Sequence, residues 1–251
     1  MLAVEAKNLS VSLNGQPVLE DINCRVNEGD FLAIVGPNGG GKTTFLRTIL
    51  GLIEPDAGSL HICDRPPGRV PAEWIGYVPQ IKTLDRSFPA PVIDLVVSGI
   101  RHRWPGRINK RERQAAMEAL KQVDVDHLAG HMLASLSGGE LQRAYLAFSL
   151  VRKPRLIIMD EPATGIDAVG QRGLYIILED YRSENGATII MVTHDWGVAL
   201  HHAAQVMVLN RSVVSFGPPA DALRDEYLQK AYSHMGHGMM SALREEDASD
   251  H

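Results

Sequence analysis

The chain has 251 residues, 45% hydrophobic and 22% charged, which excludes a disordered polymer and allows one large α/β domain or one domain with a sizeable insertion. Its net charge of −5 argues against a general nucleic-acid binder, and no apolar run approaches the ~20 residues that span a bilayer. Two cysteines, Cys24 and Cys63, are too few for a disulfide or metal framework and are expected to be reduced, in a cytoplasmic protein. Residues 1–7 lack a basic region followed by a long apolar run, so no signal peptide is expected there.

Residues 2–13 and 18–26 alternate as strands do, with Asn14-Gly15 as the turn between them. Residues 31–35 are uniformly apolar, the pattern of a strand buried on both faces. Phe45, Leu46, Ile49 and Leu50 then follow helical spacing until Gly51. Strand-like pieces return at 59–62 and 74–78. From about 81 to 150 no good strand appears, and the texture is that of a helical block. A helix is expected over 91–100. Asn109 with Glu112 reads as an N-cap and its capping-box partner. Leu141, Ala144, Tyr145 and Phe148 mark a further helix opening at Ser137-Gly138-Gly139.

Buried strands resume at 156–159 and 188–192, with a helix carrying Leu174, Ile177, Leu178 and Tyr181 between them. That order implies a parallel sheet. Residues 206–209 and 213–216 read as further strands, then a turn at 217–219 and a short helix near Asp221. From Ser233 onward the chain is polar and rich in Gly and Met.

Three strand ends carry chemistry. Residues 36–43 match G-x-x-x-x-G-K-[ST] between a buried strand and a helix. In such a loop, backbone N–H groups around Gly36, Asn38, Gly39, Gly40 and Gly41 face phosphate oxygens. Lys42 reaches the outer phosphates, the Thr43 hydroxyl binds Mg²⁺, and Thr44 is a further candidate nucleotide contact. The strand at 156–159 ends in Asp160 and Glu161. Alone, two acids at a strand end are equally well a solvated pair. In the sheet of a phosphate loop, Asp160 is placed to hold Mg²⁺ and Glu161 to polarise an attacking water. The next strand ends in Thr193-His194-Asp195, and catalytic groups collect at the carboxyl ends of parallel strands. Ser137-Gly138-Gly139 at a helix start looks like a second anion site, and one nucleotide does not need two.

In this order, the phosphate loop, Gln80 in Tyr77-Val78-Pro79-Gln80, Leu136-Ser137-Gly138-Gly139-Glu140, Asp160-Glu161, Asp167 in Thr164-Gly165-Ile166-Asp167, and His194 resemble the ATP-binding subunits of ABC transporters. The resemblance covers roughly residues 3–225. It implies an α/β fold: a P-loop NTPase core with a parallel sheet, an N-terminal antiparallel β subdomain and an inserted α-helical subdomain over about 81–150. The ATPase domain would fill 1–232, with a flexible His- and Met-containing tail at 233–251. It further implies a head-to-tail pair of copies with ATP and Mg²⁺ between them. Ser137, Gly138 and Gly139 of one copy and Asp167 would meet the nucleotide held by the other. Gln80 would face Mg²⁺ and the attacking water, and His194 would steady the γ-phosphate. The expected partners are integral membrane permease subunits and, indirectly, a solute-binding protein. No nucleic acid is expected. The expected location is the cytoplasmic face of the cell membrane.

Within the family, residues 39–44, 87–96 and 164–167 are similar to the subfamily importing zinc, manganese or iron(II). Importers of iron chelates or cobalamin are the alternative cargo class, and a soluble non-transport ATPase is a further alternative. Family members often place an adenine-stacking aromatic near residue 13, where this chain has Leu13. His201-His202 and His234-x-x-His237, with His251, raise the idea of a metal-sensing tail. A polar tail with incidental histidines is the plainer reading, because adjacent helix positions point ~100° apart.

Overall fold

The structure is a computed structural model that describes residues 1–80, 89–101, 103–104 and 106–232. The expected start of the helical block at 81–88 and the histidines at 234, 237 and 251 lie outside the described residues.

Strands β1 (Leu2–Leu13) and β2 (Gln16–Asn27) form an antiparallel hairpin. Asn14 and Gly15 both take positive φ (52° and 76°), as the tight turn that matches strand twist requires. The free edge of β1 pairs antiparallel with β4 (Ala57–Ile62), giving a three-stranded sheet of order β2-β1-β4. That pairing was not visible in the local pattern, since β3 (Phe31–Val35) and helix α1 (Lys42–Ile49) intervene.

The second sheet has the order β5-β6-β7-β3-β8-β9, built from β5 (Ile75–Val78), β6 (Leu156–Asp160), β7 (Thr188–Val192), β8 (Gln205–Asn210) and β9 (Ser212–Gly217). Every pairing is parallel except the edge hairpin β8–β9. All five residues of β3, β6 and β7 are buried, which is why their sequences are apolar runs and not alternations. Helices α2 (Val92–Arg101), α3 (Lys110–Gln122) and α4 (Gly138–Leu150) lie on the connection between the paired neighbours β5 and β6. Asn109 and Glu112 form the expected reciprocal cap at 2.9 Å in each direction.

The pleat of the central strands divides the core. Leu32, Ile34, Ile158 and Ile190 pack with Phe45, Leu46 and the small sheet. Phe31, Ile157, Met159, Ile189 and Met191 pack with α2–α4 and with α5 (Ala168–Asn185). Ala33, Val35, Val206 and Val208 are covered by α6 (Trp196–His201), α7 (Pro219–Ala222) and α8 (Asp225–Tyr232). Every strand end that carries a candidate site residue is thereby fixed on both faces.

Candidate nucleotide site

β3 delivers the chain into residues 36–41, and α1 begins at Lys42. A Cβ on Gly36 would collide with the Leu209 carbonyl, so only glycine lets the loop lie against β8. Gly41, at φ 93°, opens α1 with no side-chain cap, leaving first-turn N–H groups directed out of the helix end. The Arg211 N–H donates to Gly40 O at 2.9 Å and clamps the loop to the end of β8. Lys42 is buried, and its Nζ donates to Gly36 O (2.8 Å) and Pro37 O (2.9 Å). Burial lowers its pKa, opposed by the charges of Glu161 and Asp160.

Asp160 ends β6 only 8% exposed. Burial raises its carboxyl pKa and the Glu161 charge adds to the rise. A hydrogen bond from Thr43 and the Lys42 and Arg47 charges act the other way. A desolvated carboxylate beside a Thr hydroxyl is a hard-oxygen pair of the kind that suits a divalent cation.

Register explains why Gln80, Glu161 and His194 meet. Val78, Met159 and Met191 lie side by side in adjacent parallel strands, so the next few residues emerge at one edge. Gln80 Nε2 donates to Glu161 Oε2 at 3.0 Å, and Thr164 Oγ1 donates to the same oxygen at 3.4 Å. His194 Nδ1 is 4.0 Å from it, on a side chain that is 71% exposed. Glu161 sits in the left-handed region at φ 47°, held by its N–H to Val192 O at 2.9 Å. A non-glycine residue kept there by its surroundings is stored strain, which clusters at functional positions. Glu161, Thr164, Gln171, Thr193, His194 and Asp195 line a small cleft beside this group.

Ser137 is elsewhere, at the start of α4 in the helical layer. Its Oγ accepts from the Glu140 N–H, and the Glu140 carboxylate accepts from the Ser137 N–H at 2.8 Å. The reciprocal cap leaves the N–H groups of Gly138 and Gly139 outside it. Asp167 caps α5 through the Gly170 N–H at 2.8 Å. Thus the structure brings Lys42, Thr43, Gln80, Asp160, Glu161 and His194 together, and puts Ser137–Gly139 on a separate layer.

Sequence reasoning missed Thr164 as a partner of Glu161, although it lies three residues past Glu161, a spacing that gave a usable signal. His202 bonds Glu179 Oε1 at 2.7 Å and stacks on Tyr175, so its ring is taken up by packing against α5.

A family model described as ABC transporter matches residues 19–164. The zinc import ATP-binding protein ZnuC of Pseudomonas aeruginosa (strain UCBPP-PA14) is 37% identical over 224 residues, covering 88% of this chain and 77% of that protein. The zinc transport system ATP-binding protein TroB of Treponema pallidum (strain Nichols) is 35% identical over 232 residues, covering 92% and 86%. Among solved structures, cbiO1 from Clostridium perfringens, part of the transporter complex cbiONQ, superposes with TM-score 0.78 at 25% identity, covering 97% and 99%. The ATP-binding cassette MJ0796, a dimer bound to ADP and Pi, superposes with TM-score 0.73 at 26% identity, covering 86% and 98%.

Proposed function

The chain belongs to the ABC transporter family as an ATP-binding, ATP-hydrolysing subunit, and from that premise we propose that it powers import of a divalent metal ion of the zinc, manganese or iron(II) class. The observation that carries the catalytic part is the convergence of Gln80, Thr164 and His194 on one oxygen of Glu161, beside Lys42 and Asp160. Identities of 34–37% to zinc and metal transport subunits, along nearly the full described chain, support the cargo class.

In this reading the N–H groups of residues 36–43 and the Lys42 ammonium bind the phosphates of ATP. Lys42 exchanges its two loop carbonyls for phosphate oxygens, a stronger charge-assisted bond. Thr43 and Asp160, with Gln80, would hold Mg²⁺, which when bound neutralises charge on the phosphate oxygens. The Glu161 carboxylate takes a proton from the attacking water, whose oxygen bonds the γ-phosphorus as the bond to ADP breaks. Gln80 and Thr164 hold the carboxylate in place, and His194 donates to the γ-phosphate.

Ser137, Gly138 and Gly139 then serve the nucleotide of a second copy packed head to tail, with Asp167 at the same junction. The dimeric cassette among the structural relatives supports this arrangement. No described helix is long and apolar enough to cross a membrane. The names of the relatives, ATP-binding proteins of import and transport systems, support a separate permease partner met at the cytoplasmic face. Opening and closing of the pair is the two-state element that ATP biases, and the helical layer passes it to the permease.

The test is co-purification with the permease and uptake into vesicles, offering zinc, manganese and iron(II) in turn. ATP-dependent accumulation of at least one of the three is expected. Hydrolysis without uptake of any of them overturns the cargo class and leaves the ATPase standing.

A further inference from the structure

The turn that follows Glu161 is tied to the first turn of α5. Gln171 Nε2 donates to Ile166 O at 3.0 Å and to Ala163 O at 3.3 Å. A side-chain amide has two N–H donors, so both are spent on the two ends of one turn. That turn, residues 163–166, is closed by the Ile166 N–H on Ala163 O at 3.2 Å. Gly165 takes φ 81° at its third position, the positive value a type II turn requires. Thr164 stands at its second position and donates its hydroxyl to Glu161 Oε2 at 3.4 Å.

α5 is shaped to receive this turn. A Cβ on Gly170 would lie 2.5 Å from Ile166 Cγ2, so glycine there lets Ile166 pack on the helix start. The next residue, Gln171, supplies the polar tie. The turn needs such a tie, because Gly165 is exposed and glycine leaves the backbone many alternatives. The Thr164 bond needs it more. At 3.4 Å it is at the long end of the bonding range, so a small shift of the turn breaks it. Gln171 lines the cleft beside Glu161 and His194. With both donors engaged by carbonyls, it acts on that cleft through the turn and not by touching the water or the nucleotide.

We propose that Gln171 is a positioning residue for hydrolysis: its amide fixes the 163–166 turn, and the turn sets Thr164 on the Glu161 carboxylate. This rests on Glu161 being the base.

The test uses the full chain, in complex with the permease for steady-state ATP hydrolysis and with a fluorescent ATP analogue for affinity. Gln171→Met keeps the length of the side chain and removes both donors. It is expected to lower kcat roughly five- to twentyfold, with KM and Kd within about twofold of the parent. Thr164→Val removes the hydroxyl that the turn carries. The double variant should then be within about twofold of the slower single variant. Gln171→Asn is one methylene shorter, cannot reach both carbonyls, and takes the place of Gln171→Met if that variant does not fold. A kcat within about twofold of the parent, whatever happens to the melting temperature, overturns the proposal. So does a loss carried by KM and Kd instead, or a double variant in which the two losses multiply. Glu161→Gln separates the two levels: full turnover there overturns the reading of Glu161 as base, and lost turnover beside a silent Gln171→Met overturns only the role of Gln171.

Discussion

Gln80 Nε2 donates to Glu161 Oε2 across 3.0 Å, joining two residues that follow neighbouring parallel strands. If Glu161 is the base, Glu161→Gln should lower the rate of phosphate release by about 10²–10⁴-fold while ATP still binds. ATP should then trap a dimer visible by size-exclusion chromatography. Full turnover in this variant would sink the assignment. Gln80→Ala leaves the base but loosens its carboxylate, so kcat should fall with KM nearly unchanged.

Burial lifts the Asp160 carboxyl above its ordinary 3.8. The folded chain then binds more protons than the unfolded chain between those two values, so stability falls as pH rises through that window and stays lower above it. Asp160→Asn removes the desolvated charge with little change of shape. Thermal melts at neutral pH should show Tm higher by roughly 2–4 °C. The acid-side slope of Tm against pH should flatten, and ATP turnover should be lost. A lower Tm would show that the Thr43 bond and the Lys42 charge outweigh desolvation.

The two loop glycines should separate by cause. Gly36→Ala drives a Cβ into the Leu209 carbonyl, which is backbone and cannot step aside. Gly39 sits at φ 79° in open space, so Gly39→Ala meets only backbone strain. Urea titrations should give losses on the order of 2–4 kcal/mol for Gly36→Ala. The loss for Gly39→Ala should be about 1 kcal/mol. Equal losses would mean that β8 yields to the new methyl group.

The central sheet was legible because strands buried on both faces write themselves as apolar runs, as at Ile157 and Ile190. The cap at Asn109 was legible because a capping box is a local rule, and the helix start at Ser137 from the apolar spacing that follows it. The pairing of β4 with β1 was not, because it joins Val4 to Ile62 across a strand and a helix, and no local pattern encodes that partnership. Lys42, Asp160 and Glu161 were readable from residue types at strand ends.

Leu13 ends β1 beside the hairpin turn, 38% exposed. At this position the family resemblance expects an aromatic against adenine. A leucine covers a base by apolar contact without selecting its ring electronics. GTP should therefore be hydrolysed measurably, and Leu13→Tyr should tighten ATP by roughly two- to tenfold. Complete rejection of GTP by the parent in a competition assay would count against the idea.

Ser137 is the N-cap of α4 and, in the proposed dimer, a ligand of the partner's ATP. Two substitutions part those roles. Ser137→Ala loses both, so it should melt earlier by about 1 kcal/mol and fail to close on ATP. Ser137→Asn keeps a side-chain acceptor for the Glu140 N–H, since Asn caps as well as Ser. It should melt like the parent yet lose ATP-dependent dimerisation, because the larger amide crowds the N–H groups of Gly138 and Gly139. If Ser137→Asn dimerises and turns over normally, the hydroxyl only caps the helix, and phosphate contact from this loop falls to the two glycine N–H groups.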